Sequence, residues 1–216
     1  MSGLETIRTL IRTACKKAAR DVSSVTLVAV TKNRSEEEIS GLLDQGVRVF
    51  GENRVQEAQT HWQNKRPRYP DLQLHLIGPL QTNKVKDAVA LFDVIETVDR
   101  IELVDALVKE CQKQNKFPRF FIQINIGEEP QKSGIAITDL PTLLAHTRTA
   151  GLKVEGLMCI PPADGPPALY FALLKKLANR YDLPHTSMGM SSDFVKAITL
   201  GASHIRIGTA LFETQS

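Results

Sequence analysis

The sequence predicts a single (β/α)8 barrel of the TIM type with an extra N-terminal helix, one domain spanning residues 1–216. Three observations carry this. Short runs rich in Val, Ile and Phe alternate with segments whose apolar residues recur three and four positions apart, the two periods of strand and helix. The alternation supplies eight strand-like runs, and parallel strands joined by right-handed helical crossovers close into a barrel at that number. An open doubly wound sheet would place a GxGxxG turn after the first strand, whereas that run passes straight into Thr31-Lys32-Asn33-Arg34.

In order, an amphipathic helix is expected over residues 2–19 and a first strand over 26–31. Ser35 and Glu38 then form a capping-box pattern at the head of a helix over 35–45. The further strands fall at 47–50, 72–77, 92–97, 119–126, 153–160, 185–188 and 204–207. Between them lie helices over 54–64, 82–90, 100–114, 138–150, 167–181 and 192–200. The Pro/Gly-rich stretch 161–167 sits between a strand and the helix that follows, so it reads as a βα loop rather than a domain linker.

Composition removes several classes of function. With 42% hydrophobic and 24% charged residues the chain has the make-up of an ordinary globular domain, neither disordered nor a disulfide miniprotein. The net charge of +3, from 27 basic and 24 acidic residues, is too small to point to nucleic acid or an anionic membrane. Cys15, Cys111 and Cys159 are odd in number and widely spaced, which fits a reducing cytoplasm and offers no disulfide framework. Cys159 lies inside an apolar strand and reads as a small core residue rather than a nucleophile. The histidines at 61, 75, 146, 185 and 204 show no HxH or HxxxH spacing, so no metal site is expected. No targeting segment, no membrane span and a cytoplasmic location are expected. The basic run 64–68 reads as the end of a solvated helix.

In barrels of this kind chemistry gathers at the C-terminal ends of the strands. Strand parity places Val28, Val30 and Lys32 on one inward face, so Lys32 is expected above the barrel core, where desolvation favours the neutral amine that attacks an aldehyde. Read alone, a lysine at a strand end more often reaches into solvent. On the far side of the ring, Ser187-Met188-Gly189-Met190-Ser191-Ser192-Asp193 opens a helix, and Gly208-Thr209 follows the last strand. Backbone amides, small residues and hydroxyls in that setting make a phosphate cup, although Ser191 or Ser192 alone would read as a helix cap. Arg206 shares parity with His204 and Gly208 and points inward below the cup, with a ligand acceptor, Glu52 or Asp193 as its partner.

A lysine on strand one, a phosphate cup on the last two strands and an inward arginine describe a pyridoxal phosphate site, and the chain resembles a known family. It is similar nearly end to end to the YggS/PROSC-type pyridoxal phosphate homeostasis proteins. The similarity runs through Leu27-Val28-Ala29-Val30-Thr31-Lys32, Phe50-Gly51-Glu52-Asn53-Arg54, His75-Leu76-Ile77-Gly78-Pro79, Lys132-Ser133-Gly134, Glu155-Gly156-Leu157-Met158, Ser187-Met188-Gly189-Met190-Ser191 and Arg206-Ile207-Gly208-Thr209. The resemblance implies that Lys32 binds pyridoxal 5′-phosphate covalently as a Schiff base and that Asn53 lies close to it. It also implies that Ser191, Gly208 and Thr209 hold the phosphate, while Arg206 faces the pyridine nitrogen and discourages its protonation. Departures from the family pattern are Asn33 after the lysine, a short loop after Ile160, and Phe212-Glu213-Thr214 near the C-terminus.

The resemblance implies a carrier and regulator of pyridoxal phosphate and amino-acid balance without an established reaction; a monomer in the cytoplasm, with apo-enzymes as recipients and no nucleic-acid or membrane partner, is expected. The rival is an alanine racemase-type enzyme. Such enzymes append a second domain carrying an opposing tyrosine, whereas this chain continues for seven residues after Thr209, and Tyr69, Tyr170 and Tyr181 are expected away from the strand ends.

Overall fold

Eight parallel strands close in chain order, and the last pairs back onto the first. The computed structural model describes residues 3–213. Its strands are β1 (Thr26–Val30), β2 (Val49–Glu52), β3 (Gln73–Leu76), β4 (Val94–Val98), β5 (Arg119–Ile124), β6 (Val154–Cys159), β7 (His185–Ser187) and β8 (His204–Ile207). The helices are α1 (Gly3–Lys17), α2 (Glu36–Asp44), α3 (Val55–Trp62), α4 (Val85–Leu91), α5 (Ile101–Gln114), α6 (Leu140–Thr149), α7 (Pro167–Arg180) and α8 (Phe194–Thr199). Each expected element is present, β8 at the expected bounds and the others with shifted ends; Ser2, the expected start of α1, lies outside the described residues. Helix α1 packs against α8 and the turn Thr209–Leu211 that follows β8. It therefore completes the outer ring as its eighth described helix rather than adding a ninth.

The two-residue period of the strands divides the core into two layers. Ala29, Phe50, Leu74, Ile95, Ile122, Leu157, Ile205 and Ile207 belong to the large outer layer between strands and helices. Val94, Phe121 and Met158, with Ile160 against them, form a small apolar cluster inside the barrel. Polar side chains also enter the interior, because His204 and Arg206 alternate with the outward Ile205 and Ile207 on β8. On β4 the register shifts between Ile95 and Val98, so these two both join the outer layer. All five residues of β4 are buried, Glu96 among them.

Local signals act as the sequence requires. Ser35 Oγ accepts from the Glu38 amide at 3.2 Å, and Glu38 Oε2 accepts from the Ser35 amide at 2.8 Å, completing the capping box. The basic run differs from expectation. Helix α3 ends at Trp62, and Lys65 is buried, donating to the His61 carbonyl at 2.9 Å and to Glu36. Arg66 donates to the Leu91 carbonyl at 2.7 Å and to Asp93 at 2.5 Å. These cations tie neighbouring βα units together rather than ending a solvated helix. Cys159 is fully buried, and burial pushes its thiol up to about 12, in keeping with a core role. No described helix is long and apolar enough to cross a membrane.

Candidate functional site

The six residues expected to form the site arise from β1, β2, β7 and β8, four strands adjacent in the closed ring. Register places Val28 beside Arg206 and Val30 beside Gly51. Lys32, Asn53, Ser191, Arg206, Gly208 and Thr209 are thereby gathered toward one sector of the barrel's C-terminal face.

Val28 does face the interior, where its Cγ1 would lie 2.9 Å from a Cβ placed on Gly51. The expected burial of Lys32 is not observed, however: β1 ends at Val30 and Lys32 is exposed. Parity stops predicting direction where the strand stops. Thr31 turns outward and donates its hydroxyl to Glu52 Oε1 at 2.6 Å. Asn33 then takes a left-handed φ of 57°, a conformation asparagine tolerates, and its amide donates to Glu57 Oε1 at 2.6 Å. Lys32 is held at the apex of this turn with its backbone fixed on both sides.

Glu52 is the anchor of that end of the site. Fully buried, it gathers the Thr31 hydroxyl, the Trp62 indole N–H at 2.9 Å and His61 Nδ1 at 2.8 Å on one oxygen, Oε1. Glu52, Glu57 and His61 bring one ligand atom each within 4.8 Å of one another. Histidine and cysteine spacing could not reveal that group, since two of its members are carboxylates; hydrogen bonds to Thr31, Trp62 and Asn33 already engage both of them. Asn53 follows directly and is pinned by Gly78 after β3, where an added Cβ would lie 2.2 Å from the Asn53 carbonyl oxygen. Only glycine permits that approach.

The β7–α8 loop runs beside β8: the Met188 amide donates to the His204 carbonyl at 3.1 Å and the Arg206 amide to the Gly189 carbonyl at 3.0 Å. Gly189 has a φ of +94°. Neither serine caps α8, because Asp193 occupies the N-cap position and takes the Met190 amide on Oδ1 at 2.6 Å. Ser191 and Thr209 are exposed, which leaves their hydroxyls available to an oxyanion. A Cβ on Gly208 would meet only Val30, no closer than 3.7 Å, so there is open space beside this backbone. These donors fit a phosphate in chemistry and in room. A groove of about 1040 Å³ adjoins Ser191, lined also by Pro161, Pro162, Lys196 and Leu200.

Arg206 is buried inside the barrel, as parity predicts. Its partners are neither Glu52 nor Asp193. Nη1 donates to Ser187 Oγ at 2.6 Å, Nη2 donates to the Cys159 carbonyl at 2.9 Å, and the nearest carboxylate is Glu96 at 3.9 Å. Ser187 passes its own proton donor on to Glu96 Oε2 at 2.5 Å, while His75 Nδ1 meets Glu96 Oε1 at 2.6 Å. Burial, the largest influence on Glu96, raises its pKa, but the His75 hydrogen bond and the charges of His75, Arg206 and His204 bring it down to about 2. His204, beside this network, is pushed down to about 3, chiefly by burial. Sequence reasoning missed Glu96 and the bridging role of Ser187. The available signal was a lone acid inside Val94-Ile95-Glu96-Thr97-Val98, a segment otherwise fit for complete burial.

Of the tyrosines, Tyr69 lies against Arg48 and Tyr181 against Arg180. Tyr170 lies on α7, where it packs against Gly165 of the loop after β6.

The family model described as alanine racemase, N-terminal domain, matches residues 4–216. The chain belongs to that family. Within the alanine racemase N-terminal domain family it is 38% identical over 212 residues to the pyridoxal phosphate homeostasis protein of Aquifex aeolicus, covering 94% of this chain and 92% of the relative. The Haemophilus influenzae protein of the same name is 37% identical over 221 residues, covering 97% and 93%. Among solved structures, PipY of Synechococcus elongatus PCC7942 superposes with TM-scores of 0.84 without PLP and 0.80 with PLP bound. Its identity is 33%, with 94% of this chain and 100% of PipY covered. An alanine racemase of Clostridium difficile, 13% identical with a TM-score of 0.69, covers 96% of this chain and 56% of that one, and shows the shared barrel fold alone.

Proposed function

We propose that this chain binds pyridoxal 5′-phosphate at the C-terminal mouth of its barrel and serves intracellular homeostasis of that cofactor as a cytoplasmic carrier. The aldehyde of the cofactor condenses with a primary amine to an imine, releasing water. Lys32, presented on a backbone fixed by Thr31 and Asn33, supplies that amine. Ser191, Gly208 and Thr209 would hold the phosphate, Asn53 would border the ring, and Arg206 would meet the pyridine nitrogen.

The observation that carries this reading is that the amine and the phosphate donors follow the C-terminal ends of adjacent strands, with the buried guanidinium on the last of them. The names of the relatives and the PLP-bound PipY structure support it. The exposure of Lys32 suits a carrier, because a reversible imine must be reached by the amine or apo-enzyme that takes the cofactor away. A racemase-type reaction would need a second acid/base opposite the lysine.

The test is the visible absorbance of purified protein loaded with pyridoxal phosphate, before and after borohydride, followed by peptide mass mapping. An imine band that borohydride removes, leaving a phosphopyridoxyl group on Lys32, is expected, as is its loss in Lys32→Ala. A protein that takes up no pyridoxal phosphate overturns the reading.

A further inference from the structure

Arg206 is a cation in a barrel interior, and removing a guanidinium from water is costly unless its charge and its donors are matched. Two of its five N–H groups are engaged by Ser187 and the Cys159 carbonyl. No carboxylate touches it directly, and Glu96 at 3.9 Å is the negative charge that balances it. Glu96 is itself held at both oxygens, by His75 from β3 and by Ser187 from β7. The chain of bonds from His75 through Glu96 and Ser187 to Arg206 thus crosses the barrel lumen between strands that are not neighbours. Every member is nine-tenths or more buried, which shields it from bulk solvent.

We propose that Glu96 is a positioning residue: through the Ser187 hydroxyl it fixes the Arg206 guanidinium in the orientation with which that group meets the pyridine nitrogen of the cofactor. The inference rests on the reading that the mouth binds pyridoxal phosphate and adds to it the origin of the arginine's placement. Ser187 receives from Arg206 and gives to Glu96, so its single hydroxyl proton is committed and the direction of the relay is set. With Gln at position 96 the counter-charge disappears and the hydroxyl loses a charged acceptor. Arg206 then loses the restraint on one side while keeping the Cys159 carbonyl on the other.

The experiment titrates the full-length chain and its Glu96→Gln variant with pyridoxal phosphate and with 1-deazapyridoxal phosphate, in which carbon replaces the ring nitrogen. Affinity is read by equilibrium dialysis and imine formation by absorbance. Glu96→Gln is expected to weaken pyridoxal phosphate by roughly ten- to a hundredfold, the size of a hydrogen bond to a charged group, and to leave the deaza analogue unchanged. A purely structural role would lower both affinities alike, and an idle residue would lower neither; either result overturns the proposal. If Glu96→Gln does not fold, Ser187→Ala, which keeps both charges and removes only the bridge, is judged by the same selective loss and the same two overturning results. Failure of the unmodified protein to take up pyridoxal phosphate would instead remove the underlying functional reading.

Discussion

Thr31 donates its hydroxyl to Glu52 Oε1 at 2.6 Å, joining the residue before Lys32 to the residue before Asn53 across the β1–β2 pair. Both residues are fully buried, and Glu52 also accepts from Trp62 and His61 on the same oxygen. Glu52→Ala leaves three donors without their acceptor and is expected to cost about 3–5 kcal/mol, the range for breaking a buried charged hydrogen-bond group. It should also reduce loading with pyridoxal phosphate, since both flanking site residues lose their tether. Urea unfolding and the imine absorbance check the two effects; a variant as stable as the parent would show that Glu52 is dispensable to the mouth.

The single tryptophan, Trp62, is fully buried and donates to the same Glu52 oxygen at 2.9 Å. Its distance from Lys32 is thus spanned by Thr31 and one carboxylate. Adding pyridoxal phosphate should therefore quench tryptophan emission saturably and in step with growth of the imine band. An imine band that grows while the emission stays constant would place the cofactor away from β1 and β2.

Gly78 determines where Asn53 can lie. A methyl group there would come within 2.2 Å of the Asn53 carbonyl oxygen and 2.8 Å of its Cα, backbone atoms that cannot swing aside. Gly78→Ala is expected to destabilise the fold by on the order of 1–3 kcal/mol, the usual cost of overpacking, and to weaken cofactor retention by displacing Asn53. Denaturation midpoint and equilibrium dialysis measure these. Unchanged retention in a destabilised variant would separate Asn53 from the cofactor.

What was legible in the sequence follows from which forces are local. Alternating periods reveal strands and helices because burial of one face acts along a few residues, and that sufficed for eight strands and their inward parity at Val28 and Arg206. Parity failed at Lys32, where the strand had ended and the backbone instead follows Thr31, Asn33 and their acceptors on the next βα unit. The roles of Lys65 and Arg66 were hidden because Glu36 and Asp93 lie 29 and 27 residues away. Glu96 was hidden more deeply, since its partner Ser187 is 91 residues distant and faces it across the lumen. No single-strand pattern reports what stands opposite inside a closed barrel.

Stability should fall steeply in mild acid, and the interior histidine sets where. His204 has its pKa lowered from 6.5 to about 3, mainly by burial, with the Glu96 charge opposing and His75, His185 and Arg119 assisting. Below pH 6.5 the unfolded chain therefore takes up a proton that the folded chain refuses, and stability declines by about 1.4 kcal/mol per pH unit until pH 3 or so. His185, half-buried and also lowered by burial, adds to the decline in the same direction. Glu96 enters later: its pKa falls from 4.5 to about 2 on folding, so the stabilisation it gives as a carboxylate is complete above pH 4.5 and is lost only as pH drops from there toward 2. Urea unfolding at a series of pH values should thus show one slope beginning near 6.5 and a steeper one below 4.5. His204→Phe keeps a ring beside Phe121 and cannot titrate, so it should flatten the first slope and reduce the second toward the share that Glu96 gives. A parent protein whose stability is level between pH 6 and 4.5 would show that His204 takes up its proton inside the barrel after all.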